Sequence, residues 1–272
     1  MPEIKVLPIT SETIQCASYV CSDPADVGLE LADQGCTLKT QWAEAEIKKG
    51  FVPGFVAWLD GKPAGIFNLE HREESKIISI KCIWVPRKSH WDKGVASKIM
   101  QKLIDYAKSC ECFNGKPAVA IIAQPFDGGY PEQKKWFEFM VKKGFTTTPE
   151  DNCILYYPVE TGYVYHKDPQ RDGFFEDNAT KDYIPQSEDK DRILVIESPI
   201  MCPYYHVFFA KAAAQLKELK PELEVVFLNA ETDNTEVAKR GDFRGLIVRG
   251  HKVTSPSYYF DKFMEEAKKY LE

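Results

Sequence analysis

The residues best placed to do chemistry lie in one run, Arg87-Lys-Ser-His-Trp-Asp-Lys-Gly94, which leads into Val95-Ala-Ser-Lys-Ile-Met-Gln-Lys-Leu-Ile-Asp-Tyr-Ala-Lys108. A basic loop ending in a glycine feeds an amphipathic helix with Ile99, Leu103, Ile104 and Ala107 on one face. Such a junction suits anion capture. The first helical N–H groups have no partner inside the helix, the helix dipole adds partial positive charge, and Gly94 and Ala96 let a phosphate approach the backbone closely. The same pattern also suits an ordinary capped helix. The eight cysteines (Cys16, Cys21, Cys36, Cys82, Cys110, Cys112, Cys153 and Cys202) contain no C-x-x-C pair and read as reduced thiols of a cytoplasmic protein. The closest pair, Cys110-Glu111-Cys112, has no histidine nearby, so no metal site is expected.

These residues sit in a chain of 272 with 44% hydrophobic and 28% charged residues, a globular balance rather than a disordered one. At roughly 100–200 residues per domain, two domains are expected. No run approaches the roughly 18 apolar residues of a membrane helix, and Met1-Pro-Glu-Ile-Lys-Val lacks the order of a signal peptide. Neither a membrane nor export is expected. A net charge of -6 argues against nucleic acid as a partner and mildly favours a small or cationic acceptor. The stretch 160–191 holds nine acidic and four basic residues, together with Asp168-Pro169, Gly173 and Ile184-Pro185. It reads as a linker or arm, dividing the chain into domains 1–159 and 192–272.

In the first domain, helical spacing begins at Ser11-Glu12-Thr13 and again over Thr37 to Lys49. Phe55 to Leu59, the turn Asp60-Gly61 and Pro63 to Leu69 make a hairpin, because Asp-Gly tolerates positive φ. Ile77 to Val85 is a third strand, closed by Pro86, which cannot donate to a sheet ladder. After the basic loop and its helix come a strand (Ala118 to Ala123), a helix (Pro131 to Lys143), Gly144-Phe145 and a last strand (Cys153 to Val159). Of the five tryptophans, Trp91 is the one a core explains least.

This order, with Trp84-Val85-Pro86 followed by Trp91-Asp92-Lys93-Gly94-Val95-Ala96, resembles the GNAT N-acetyltransferase family over most of residues 1–159. The Gly-x-Ala part matches the family's phosphate motif. Trp91 stands where the family has Gln or Arg, in a loop about two residues longer than the family's. Lys142-Lys143-Gly144-Phe145 matches a second family motif, which places Gln133 at its asparagine position and Met140 where a proton-donating tyrosine is usual. The resemblance implies a mixed sheet with flanking helices, acetyl-CoA as acyl donor and an amine as acceptor. It implies that Ile83, Trp84 and Val85 offer backbone to the pantetheine arm, and that Trp91, Asp92, Lys93, Gly94, Val95, Ala96 and Ser97, with Gln133, contact the cofactor. A general base is then needed. Glu70 and His71, at the end of the hairpin's second strand, are the candidates, with Asp127 of Asp127-Gly128-Gly129 a weaker one that reads first as a turn. A binding or sensing protein that keeps acyl-CoA but has lost catalysis is the alternative.

In the second domain, strands at Ile193 to Glu197, Val225 to Asn229, Leu246 to Arg249 and Lys252 to Thr254 alternate with helices at His206 to Leu219, Thr235 to Lys239 and Tyr258 to Leu271. A small α/β layer fold follows. The order resembles a thioredoxin or glutaredoxin unit, with Cys202-Pro203-Tyr204 where a redox Cys-Pro-Tyr-Cys begins, and the pairing of domains resembles the YoaP-type acetyltransferases. A thiol at a helix start gains thiolate character, which makes Cys202 the candidate reactive cysteine. Tyr205 stands in place of the resolving cysteine, and Asp242-Phe243-Arg244-Gly245 occupies the place of the thioredoxin proline. A degenerate binding module is favoured over an oxidoreductase.

Overall fold

The Asp60-Gly61 turn has positive φ at both positions, 50° and 76°, so the chain reverses tightly between β2 (Gly54–Leu59) and β3 (Lys62–Arg72). The computed structural model describes residues 3–21, 30–124, 136–168, 182–197, 202–230, 232–241, 243–255, 257 and 259–272. Their fold is the mixed one expected: a seven-stranded sheet with flanking helices, and a second sheet of four strands near the C-terminus. Residues divide into two compact units, Met1–Asp23 with Ala43–Asp172, and Pro24–Trp42 with Gly173–Glu272. Among the described residues no helix is long and apolar enough to cross a membrane.

The first unit differs from the sequence expectation at its start. A strand, β1 (Ile4–Pro8), precedes the helices and pairs antiparallel with β2, from Ile4 opposite Leu59 to Pro8 opposite Phe55. Asp60 Oδ1 accepts the Glu3 N–H at 3.0 Å, tying this strand to the turn. Five residues ending in proline give little local signal, and the partner strand defines the element. Helix α1 (Ile14–Tyr19) follows, then α2 (Glu30–Lys48), which begins two turns before the expected start at Thr37. Gly35 lies inside α2 and weakens the helical pattern there. The sheet runs β1-β2-β3-β4-β5-β7-β6, with β4 (Ile77–Trp84), β5 (Ala120–Ala123), β6 (Thr146–Thr147) and β7 (Leu155–Pro158). Only β4 and β5 run parallel. Helix α3 (Val95–Lys108) lays Ile99, Met100, Leu103 and Ala107 on Phe55, Phe67, Leu69 and Ile78 of the sheet, and α4 (Trp136–Lys142) adds Met140 to the same core. Arg72 donates to the Tyr165 hydroxyl at 2.9 Å on the opposite face, beside Ile77, Ile122, Ile154 and Tyr156.

In the second unit, β8 (Arg192–Glu197) and β9 (Glu224–Asn229) are parallel, β10 (Gly245–Val248) is antiparallel to β8, and β11 (His251–Lys252) closes the order β11-β10-β8-β9. Helices α5 (Pro203–Leu219) and α7 (Phe260–Lys269) cover one face through Phe209, Leu216, Phe263 and Met264. On the other face, next to α6 (Asn234–Ala238), Arg240 binds buried Asp189 through Nε at 3.1 Å and Nη2 at 2.8 Å. Asp189 also accepts from the Tyr183 hydroxyl at 2.6 Å and from the Gln186 N–H at 3.2 Å. The segment around 183–191 is thereby fixed to this unit by a desolvated ion pair. The first part of α2 groups here because Gly35 passes against α5: a Cβ at Gly35 would stand 2.5 Å from the Pro203 carbonyl oxygen.

Breaking the buried pair from one side leaves the buried Arg240 guanidinium with only the half-exposed Glu188 and Glu236 as partners. Asp189→Ala should therefore lose about 3–5 kcal/mol in urea unfolding, whereas Glu236→Ala, which removes a half-exposed partner of the same arginine, should change little.

Candidate active site

Parallel pairing between β4 and β5 lasts four residues, Ile77 opposite Ala120 through Ile80 opposite Ala123. Strand β4 continues to Trp84 with β3 on its other side, where Cys82, Ile83 and Trp84 stand opposite Asn68, Phe67 and Ile66. The pairing with β3 slips between Ile80 and Cys82, so Lys81 is the extra residue of a β-bulge. From Lys81 onward the side of β4 away from β3 carries no ladder to β5. A backbone edge of this kind can receive an extended ligand by strand-like pairing.

The strand leads directly into the basic loop. Its first helical hydrogen bond runs from the Lys98 N–H to the Gly94 carbonyl, so the N–H groups of Val95, Ala96 and Ser97 have no carbonyl inside α3. No side chain caps this end and no acidic residue lies in the first turn. Gly94 sits at φ 84° with nothing nearer to a Cβ position than Ile4 Cδ1 at 3.9 Å, and Asp92 also has positive φ, 57°. Burial holds the His90 imidazole below its ordinary pKa, and the positive charges of Arg87 and Lys93 push the same way, a mark of local positive potential. Trp91 is half-buried against the main core, and its indole N–H donates to the Val85 carbonyl at 2.8 Å. The structure thus brings Trp84, Val85, Trp91, Asp92, Lys93, Gly94, Val95, Ala96 and Ser97 into one continuous corner, with Ile83 buried beneath it.

Glu70 and His71 are neighbours on β3 and so face opposite sides of the sheet. Glu70 is half-exposed and ion-paired to Lys81 at 2.9 Å, which puts its carboxylate beside the point where β4 parts from β5. His71 points into the α3 side. It stacks on Phe51 at 4.7 Å, meets Phe113 edge-on at 5.6 Å, and its Nε2 lies 3.2 Å from the Tyr106 hydroxyl. Burial lowers its pKa to about 4, partly offset by Glu70. Lys81 and His90 were not singled out by sequence reasoning. Lys81 is the one charge inside an apolar strand, a signal that was available.

Met140 is buried in the main core and carries no hydroxyl. Gln133 and Asp127 lie outside the described residues. Cys202 belongs to the second unit, where it is the N-cap of α5, partly exposed, with Pro203 at the first helical position. One turn on, buried His206 bonds Glu197 Oε2 through Nδ1 at 2.9 Å and Gln34 Oε1 through Nε2 at 2.9 Å. Gln34 Nε2 donates to Glu30 at 3.3 Å, which fixes the amide so that its oxygen faces the ring.

A histidine whose folded pKa is about 4 against 6.5 in the unfolded chain favours folding in its neutral form. That stability is fully present above pH 6.5 and is lost as pH falls toward 4, at most about 3 kcal/mol. His90 shifts in the same direction. Urea unfolding at pH 7 and pH 4.5 should show a smaller pH difference for His71→Phe than for the wild type.

Residues 25–119 match the model of the Acetyltransferase (GNAT) family. No curated protein matches the chain. Among solved structures, an N-acetyltransferase from Staphylococcus aureus Mu50 is 16% identical, over 58% of this chain and 99% of its own, with a TM-score of 0.40. A GNAT family acetyltransferase from Brucella melitensis in complex with acetyl-CoA is 11% identical, over 60% and 96%, with a TM-score of 0.38. The PaiA N-acetyltransferase from Thermoplasma acidophilum in complex with coenzyme A is 10% identical, over 57% and 99%, with a TM-score of 0.40. The family match spans the hairpin, the parting strand, the basic loop and the whole of α3.

Proposed function

We propose that the chain moves an acetyl group from acetyl-CoA to the amine of a small or cationic acceptor. The observation that carries this reading is the unpaired half of β4 running straight into the uncapped glycine start of α3. Acetyl-CoA supplies an activated acyl group and two phosphates on one flexible arm. The backbone of Ile83, Trp84 and Val85 pairs with that arm, and a β4 N–H polarises the acyl carbonyl. The N–H groups of Val95, Ala96 and Ser97 receive the pyrophosphate, with Lys93 adding charge. Glu70 takes the proton from the acceptor's ammonium, leaving a nitrogen lone pair to form the new C–N bond. The C–S bond breaks as that bond forms, and the thiolate takes up the second proton shed by the nitrogen, a step for which Met140 offers no group. The enclosure of His71 between Phe51, Phe113 and Tyr106 favours a packing role over proton transfer for it.

We infer in the same way that the second unit is thioredoxin-like and of the YoaP type. Its strand order, with a single parallel pair bridged by α5 and Cys202 at the start of that helix, supports this. Tyr205, whose N–H bonds the Cys202 carbonyl in the first turn, carries no thiol, so no disulfide can form within Cys202 to Tyr205. All eight cysteines are thiols outside any disulfide, which suits a cytoplasmic setting.

Thermal unfolding with and without acetyl-CoA tests the donor site. At 100 times its dissociation constant the ligand should add about 2.7 kcal/mol to the wild type and nothing to Gly94→Glu. Because residue 94 is left-handed, Gly94→Ala serves as the control: it should cost about 1–2 kcal/mol and still respond to ligand. Absence of a shift in the wild type overturns the reading. A shift without thiol release across an amine screen points to a binder.

A further inference from the structure

The loop between Val85 and Val95 has no strand or helix to pair with over most of its length, and its conformation decides where α3 begins. A 3-10 turn at Lys88–His90, with Trp91 N–H bonding the Lys88 carbonyl at 3.0 Å, brings the tryptophan back over the strand it has just left. There the indole donates to the Val85 carbonyl and the ring rests against the main core. His90, the residue before Trp91, lies beside the backbone of Ala64 on β3. At the far end Val95 fills the place where Gly65 has no side chain: a Cβ at Gly65 would stand 2.9 Å from Val95 Cγ1 and 3.1 Å from Val85 Cγ2. Two left-handed residues, Asp92 and Gly94, turn the chain between these anchors.

We propose that Trp91 is a positioning residue: its indole N–H is spent on the Val85 carbonyl rather than on a ligand, and this bond holds the loop so that the Val95 to Ser97 N–H groups face the end of β4. The bond joins the last residue of the slot to the loop carrying the anion site, and so fixes the spacing between the two places that the donor must span. This rests on the acetyl-CoA reading above, and it differs from a direct cofactor contact by Trp91, which the sequence pattern implies.

Trp91→Phe keeps a smaller aromatic ring against the core and removes the N–H, so part of the core contact survives and the latch does not. Losing one such hydrogen bond corresponds to a change of roughly fivefold. Amide hydrogen exchange over residues 92–97 should quicken by about that factor while β2 and β3 stay unchanged, and the acetyl-CoA dissociation constant from thermal-shift titration should rise about as much. Unchanged exchange in the loop overturns the proposal, as does faster exchange with unaltered binding. General faster exchange across the first unit would mean a merely structural role and overturns it too. If the wild type itself fails to bind acetyl-CoA, the donor reading fails and takes this proposal with it, whereas binding by wild type and variant alike sinks the proposal alone.

Discussion

The parting of β4 from β5 after four paired residues is the constraint on which the first unit depends. Parallel strands need evenly spaced bonds along a shared register, and the bulge at Lys81 shifts β4 out of that register while β3 continues to hold it. The sheet therefore opens without losing its core, because the residues beyond the bulge, Ile83 and Val85, still reach the α3 side. An edge is exposed at the one place where the adjoining helix start leaves its N–H groups unclaimed. Donor binding would use two backbone features and few side chains, which is why the sequence can depart from the family at residues 91 and 140 and keep the corner.

Packing around that corner is tight where the chain must turn. Gly65 supplies a notch for Val95, Trp91 and His90 hold the loop from two sides, and Gly94 takes a conformation that a side chain would strain. His71 lies deeper, where three aromatic rings hold it neutral. Its burial next to a charged neighbour on the other face follows from strand alternation alone.

Features written in local sequence were legible: the Asp-Gly turn, the strand exit at Val85-Pro86, the glycine start of α3, and the alternation of strand and helix after residue 192. Those made by distant partners were not. Strand β1 exists because β2 is beside it, the bulge at Lys81 is visible only against β3, and Gln34 meets His206 across 172 positions of sequence. The sequence pattern puts the start of α5 at His206, three residues late, because Pro203 reads as a break although proline is well tolerated at a first helical position. Glu70 and His71 could have been separated earlier, since adjacent residues of one strand cannot both face a common slot.

The close passage of Gly35 against Pro203, with Gln34 and His206 beside it, has a consequence for how such a chain can be divided or assembled. A helix from the span that matches the family has its first two thirds, Glu30 to Trp42, committed to the other unit. The two units are interleaved in sequence, so no single cut separates them, and severing the chain after residue 159 parts residues 24–42 from the rest of their unit. A glycine on α2 answers a proline on α5: any side chain at residue 35 would run into the Pro203 carbonyl.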